Sequence, residues 1–341
     1  MSIGIDKLAH MNTPALSDAL LAHSAAEGTG VIAIGDLPKL LNAGNLKMPD
    51  SDETIAEHYR QFCNRNLLDN WYFVNPVNQR GQTEYADVNY TIDRWRTYPS
   101  VITTLLPDGI RVNASANDYR SVFMQRIEHF KELEGKTVTL SALAKLVSGS
   151  YFTLSYGTAY DSNITEQAGY YKNTEYEVIS FTFIIPNGIQ DHFNVSITPG
   201  NKGIVDVAAM KLELGHRQTL AHKENGVWVL NEIPDYATEL AKCQRYFYKT
   251  QGAFEYRGIA INQWYMNNGT IELPVSMRIK PTCKVFDRHG NAGKISIRNN
   301  DESVNGILTP LSNRTLLAYA PDAGFTIGTE YDFAIEADAN L

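Results

Sequence analysis

Cysteine is scarce in this chain: Cys63, Cys243 and Cys283 are the only three in 341 residues, and they lie far apart. An odd, dispersed set gives no disulfide framework, and no CxxC or Cys/His spacing suggests zinc. They read as free thiols of a protein made in a reducing compartment. Long apolar runs are missing as well, and nothing approaches the ~18 residues of a membrane span. Met1 is followed by Ser2, Gly4 and Asp6, without the basic and apolar regions of a signal peptide, so no secretory leader is expected. Without one, the six Asn-x-Ser/Thr triplets, at Asn89, Asn113, Asn163, Asn194, Asn268 and Asn313, are chance in an Asn-rich chain. Lys and Arg number 30 against 38 Asp and Glu, a net charge of −8 with no basic block. Phosphate backbones need clustered cations, so nucleic acid is excluded as a partner. No internal repeat and no low-complexity tract occurs.

Catalytic signatures are equally sparse. Asp191-His192 looks like an orienting pair for a serine, yet no Gly-x-Ser-x-Gly elbow exists to receive it, and neighbours in a strand point to opposite faces. Gly28 to Ala33 matches a loose G-x-G-x-x-A fingerprint, but a strand does not precede it on this reading and Gly35 to Pro38 stops any helix after it. The eight histidines show no metal spacing. Calcium is the one metal the sequence admits, through Asp69, Asp87 and Asp93, which read more simply as turn residues. Asp161, Glu166, Glu175, Glu177 and Asp191 supply carboxylates, but a glycosidase needs two of them about 5–10 Å apart across a cleft, and solvated turns and strand faces account for them.

Length points to two or three domains, and a hydrophobic content of 43% is enough for real cores. Residues 1–65 read as a helical segment. Thr13-Pro14 opens a helix with Leu16, Leu20 and His23 or Ser24 in a stripe, and Asp50 with Glu53 caps a second, with Ile55, Tyr59, Phe62 and Cys63 on one face. Such short helices bury little alone and suit packing against copies of themselves.

From Leu67 the period changes to two. Lys136–Leu140, Tyr176–Ile185, Phe193–Thr198 and Val205–Leu214 are rich in Val, Ile, Thr and aromatics and bounded by Gly, Pro and Asn. Met210, Leu212 and Leu214 alternate with Lys211 and Glu213, as in a half-buried antiparallel strand. No helices of crossover length separate the runs, so a doubly wound sheet is excluded and a jelly-roll-like antiparallel β-sandwich is expected over 66–230. Asp235 caps a short helix with Leu240 and Cys243 on one side. Residues 235–341 then form a smaller sandwich, with alternation over Ile271–Lys280, where Pro274 marks an edge strand, and over Lys294–Arg298, Thr315–Tyr319 and Tyr331–Ile335.

Aromatics make up 11% of the chain, 19 of them Tyr. A sugar presents an apolar C–H face to stack on Trp or Tyr while amides and Arg meet its hydroxyls. Trp71 with Asn75, Gln79 and Arg80, and Trp95 with Arg94 and Arg96, have that vocabulary but read as core or hinge. Tyr151, Tyr156, Tyr160, Tyr170 and Tyr171 share it. The candidate carbohydrate site is Tyr256, Arg257, Trp264, Tyr265 and Asn267, rings and amides beside the turn signal Asn-Asn-Gly.

Two phrases, NLLDNWYFVNPVNQRG with DVNYTIDRWR between Asn66 and Arg96, and ELAKCQRYFYK from Glu239 to Lys249, resemble those of bacteriophage and prophage tail fibres and receptor-binding proteins. The resemblance covers 66–341. It implies a non-enzymatic virion tail subunit, made in the bacterial cytoplasm, that joins other virion tail proteins through its first 65 residues. It also implies a homotrimer that binds host cell-surface polysaccharide without inserting in a membrane. The alternatives are a polysaccharide-degrading tail spike and a ligand-free baseplate or adaptor protein.

Overall fold

The computed structural model describes the backbone of 19–24 and 28–33 and residues 64–340, apart from 87–88, 99, 116–120, 159–166, 201 and 253–254. The chain divides into two units, Met1–Cys63 and Asn64–Leu341. In the first, β1 (Ala19–Ser24) and β2 (Gly28–Ala33) pair antiparallel, Ala19 opposite Ala33 and Ser24 opposite Gly28. The helix expected through Leu20 and His23 is therefore a hairpin. Leu20, Leu21 and Ala22 suit either state, and the Gly-rich return strand supplies the backbone partners that a lone helix would not need. The second expected helix, from Asp50, lies outside the described residues.

The second unit is mostly β and begins with a sandwich. Its strands are β3 (Glu84–Tyr85), β4 (Arg96–Thr97), β5 (Val101–Leu106), β6 (Gly109–Ala114), β7 (Phe123–Arg126), β8 (Thr137–Ser148), β9 (Phe152–Gly157), β10 (Gln167–Tyr171), β11 (Glu177–Ile184), β12 (Asn194–Pro199) and β13 (Ile204–Leu214). Five form one sheet, in the order β10-β9-β12-β7-β4, and six the other, β11-β8-β13-β6-β5-β3. Every pairing is antiparallel. Alternation builds the core between them: Val138, Leu140, Ala142 and Ala144 of β8 meet Phe152, Leu154 and Tyr156 of β9 and Val195 and Ile197 of β12. The hairpin β14 (Ala221–Glu224) and β15 (Val227–Leu230) follows.

β13 departs from the half-buried pattern. Lys211 and Glu213 are as buried as Met210 and Leu212, because chain segments close over the second face. Where β6 stops pairing, residues 66–73 take its place: Leu67, Trp71 and Phe73 exchange backbone bonds with Leu212, Met210 and Ala208. The Lys211 ammonium donates to Thr219 Oγ1 at 2.9 Å and lies 3.9 Å from Glu213. Pairing a buried charge in this way avoids the cost of stranding it.

The helix α1 (Tyr236–Gln244) starts where Asp235 accepts from the Thr238 N–H at 2.8 Å. After it come β16 (Phe247–Lys249), β17 (Tyr256–Ile259), β18 (Tyr265–Glu272), β19 (Thr282–Phe286), β20 (Lys294–Ile297), β21 (Ser303–Asn305), β22 (Ile307–Pro310), β23 (Thr315–Tyr319) and β24 (Glu330–Asp338). The long β24 is central, pairing with β16, β17, β19 and β20, while β18-β23-β22 form a three-stranded sheet. Tyr331, Phe333, Ile335 and Ala337 from β24 and Ile271, Leu308, Leu316 and Ala318 opposite make a second, separate core. The strand expected over Ile271–Lys280 ends at Glu272. Pro274 has no N–H to continue the ladder, and Leu273 and Met277 instead bond to Arg314 and Asn313 as an irregular strap.

Candidate functional site

β17 and β18 are joined by a short turn, with Ala260 bridging Met266. Asn262 organises it: its Oδ1 accepts from the N–H groups of Trp264 at 2.8 Å and Tyr265 at 2.7 Å. Such an Asx turn is the local chemistry that Asn favours. On the other side, Trp264 and Gln263 carbonyls accept from Ala320 and Phe325 at 2.9 and 3.1 Å. The backbone is thus pinned, whereas the Trp264 and Tyr265 side chains remain 47% and 43% exposed. Tyr265 pairs with Tyr319, and Tyr319 with Ile307, so one row of rings and an aliphatic crosses the outer face of the three-stranded sheet. The Tyr265 and Tyr319 centroids lie 6.1 Å apart. The next row, Thr270–Leu317–Thr309, is mixed hydroxyl and apolar.

The other three predicted site residues serve the frame. Tyr256 stacks on Phe333 at 5.8 Å, shares a hydrogen bond with the Tyr248 hydroxyl, and has its phenol pushed up by burial. Arg257 Nε donates to Asp332 at 2.8 Å, a bond that raises its pKa further. Asn267 Oδ1 accepts from the Ile259 N–H at 2.5 Å and so ties β17 to β18. Tyr319 was not singled out from the sequence. The signal for it is the outward parity it shares with Thr315 and Leu317 in an alternating strand.

The two distinctive sequence phrases meet in space. Trp95 is fully buried, stacked on Phe123 at 4.7 Å, and donates Nε1–H to the Asn70 carbonyl at 2.8 Å. Asn70, at φ 53°, adopts the left-handed region that Asn tolerates, and its side chain bonds Val77 and Asp93 backbones. From that platform the first phrase grips the second. Asn70 N–H donates to Glu239 at 2.7 Å, Gln79 Nε2 to the Phe247 carbonyl at 2.6 Å, and Arg80 and Arg94 lie over the Phe247 and Tyr246 rings at 3.8 and 3.5 Å. Arg245 and the Tyr246 hydroxyl both donate to Glu128, at 2.8 and 2.6 Å. Burial pushes the Glu128 carboxyl up, but these two bonds outweigh it and hold it below the usual range. Burial pushes Asp93 up to about 6 against the pull of Arg80 and Gln79. The phrases are thus the joint between the two sandwiches.

A cleft of about 390 Å³ beside this joint is lined by Arg94, Glu128, Lys242, Arg245 and Tyr246 among others. Arg94, Lys242 and Arg245 are already held by Asp69, Glu239 and Glu128. Glu128, with its depressed pKa, is a poor proton donor for glycoside cleavage. Glu177 is engaged by Lys223 and Trp228, Asp191 and Glu175 are exposed, and Asp161 and Glu166 lie outside the described residues. Of the residues considered for calcium, Asp69 and Asp93 are taken up by Arg94 and by Gln79 and Arg80, and Asp87 lies outside the described residues. Among the described residues no group of three His, Cys, Asp or Glu side chains is placed to hold a metal ion. Cys243 is a buried free thiol and Cys283 a half-buried one. No described helix is long and apolar enough to cross a membrane.

No protein-family model and no curated protein matches the sequence. Solved structures similar to part of it include one described as "CBM4 structure and function", at 16% identity and a TM-score of 0.32, covering 43% of this chain and 99% of that one. The CBM22-1 xylan-binding domain of Paenibacillus barcinonensis Xyn10C matches at 10% identity and TM-score 0.27, covering 45% and 96%. TmCBM61, in complex with beta-1,4-galactotriose, matches at 11% and 0.26, covering 44% and 99%. Scores this low carry no argument about function.

Proposed function

We propose that this protein is a carbohydrate-binding attachment subunit, a tail-fibre or receptor-binding protein of a bacteriophage or prophage particle, acting without catalysis. The observation that carries the glycan reading is the pair Trp264 and Tyr265, half exposed on a turn whose backbone is bonded on both sides. Apolar rings left in water by a rigid frame are ready to stack on a sugar's C–H face without an ordering cost. The phage assignment is supported by the two phrases that resemble tail-fibre sequences and by their use as the joint of two sandwiches in series. Weak single sites of this kind suit a homotrimer, in which avidity multiplies them. The first 65 residues would join the particle.

The test is adsorption of the full chain to bacterial cells and to a glycan array, with Trp264→Ala and Tyr265→Ala in parallel. Binding that falls in both variants supports the reading. An array without hits, alongside tight binding to another virion protein, would instead favour a ligand-free adaptor. A concentration-independent monomer by solution mass measurement would sink the trimer.

A further inference from the structure

The outer face of the five-stranded sheet carries polar side chains that a framework alone does not need. Alternation assigns them. Thr97 of β4 pairs with Phe123, whose ring lies in the core, so Arg96 and its partner Met124 point the other way. By the same register Arg126, Asn194, Ser196, Ser155 and Thr153 share that outward face, and Tyr170 continues it on the edge strand β10.

Arg96 is only 8% exposed. Its guanidinium has the rings of Tyr90 and Tyr98 at 5.7 and 5.8 Å, but among the described residues no carboxylate pairs with it, and its Nε makes no hydrogen bond. Arg94 and Lys211, equally buried, each have their carboxylate. Asn194, 6% exposed, likewise leaves its Oδ1 without a donor. A buried cation lacking an anion and a buried carbonyl lacking a donor are both costly, and here they stand on one face two strands apart.

We propose that this face is a second binding site, for an oligosaccharide carrying a carboxylate-bearing sugar, whose carboxylate pairs with Arg96 and whose hydroxyl donates to Asn194. The hydroxyls of Ser155 and Ser196, 2.8 Å apart, and of Thr153 lie along the same face. At its far edge Tyr170 stands 67% exposed beside Tyr151, ring centroids 5.3 Å apart, a platform for a further ring. Four inter-strand spacings of about 4.8 Å separate β4 from β10, roughly 19 Å, which is the reach of an oligosaccharide and not of one sugar. Burial and then the Arg126, Arg96 and Arg278 guanidinium charges hold the His192 imidazole below its usual pKa against the pull of Asp191. This site is independent of the Trp264–Tyr265 edge.

The experiment is calorimetric titration of the full chain with tetragalacturonate, with its carboxyl-reduced counterpart and with inorganic phosphate. The expected result is binding of the uronate only. It should weaken about tenfold or more in Arg96→Gln, as loss of a charge-assisted pair implies, and less in Asn194→Ala, and it should stay unchanged in Trp264→Ala. Equal binding of the uronate and its reduced form, binding of phosphate but not uronate, or no binding would overturn the proposal. Should Arg96→Gln fail to fold, the wild-type discrimination between uronate and reduced form decides. Loss of uronate binding in Trp264→Ala would assign the ligand to the other edge.

Discussion

Replacing Trp264 with alanine separates a binding ring from a core ring. A fully buried Trp truncated to Ala costs about 3–5 kcal/mol. Trp264 has 47% of its surface in water, and the bonds that fix its turn use backbone atoms and Asn262, which the substitution leaves in place. The expected cost is therefore no more than about 1–2 kcal/mol, a fall of several degrees in melting temperature for a domain of this size. Stacking against a sugar contributes about 1–2 kcal/mol per ring, so monomeric affinity should fall about tenfold. Tyr265→Ala, at 43% exposure, should behave alike, and the double variant should lose close to the sum unless the rings contact one sugar together. Melting by circular dichroism and titration with the best glycan from an array measure the two quantities. A stability loss of about 3–5 kcal/mol, or unchanged glycan affinity, would refute the reasoning.

The other expectations concern the frame. Trp95→Ala should destabilise by about 3–5 kcal/mol in denaturant melts, since it empties a fully buried site stacked on Phe123 and orphans the Asn70 carbonyl. Glu128 has a depressed pKa, so its contribution to the joint is complete above the ordinary carboxylate value of about 4.3 and is lost as pH falls through the folded value. Glu128→Gln should remove on the order of 1 kcal/mol at neutral pH and flatten that acid limb; an unchanged limb would assign it to other carboxylates. Gly109→Ala should cost more than about 1 kcal/mol, because φ is +153° and a Cβ would meet the Val207 carbonyl oxygen at 2.3 Å; a neutral variant would show that β6 and β13 separate easily.

Much of the fold is legible residue by residue. The two-residue period over Tyr176–Ile185, Phe193–Thr198 and Thr315–Tyr319 coincides with β11, β12 and β23, and Asp235 caps the helix it was expected to cap. These are local signals, set by side-chain parity and backbone hydrogen bonding within a few residues, so a linear reading recovers them. The helix through Leu20 failed because Leu and Ala fit either state and the Gly-rich partner strand decided the outcome. The Ile271–Lys280 strand failed because the missing N–H of Pro274 outweighed the apolar alternation.

What the sequence determined by itself is the class of structure: antiparallel sandwiches with a rich aromatic stock. What only the tertiary structure decided is which aromatics are spent on holding the molecule together. Trp95 and Trp264 both stand among polar neighbours in the chain, Arg94 and Arg96 beside the one and Asn262 and Gln263 beside the other, yet Trp95 is sealed against Phe123 and Trp264 stands half in water. Exposure depends on segments far away in sequence, such as residues 66–73 pairing along β13 and Ala320 pinning the Trp264 turn. The same holds for Arg96, set on the outer sheet face by its pairing with Met124, whereas Arg94, two residues earlier at φ 72°, is bonded to Asp69 in the joint. Burial is a property of the packed whole, and local pattern fixes only which way a side chain points.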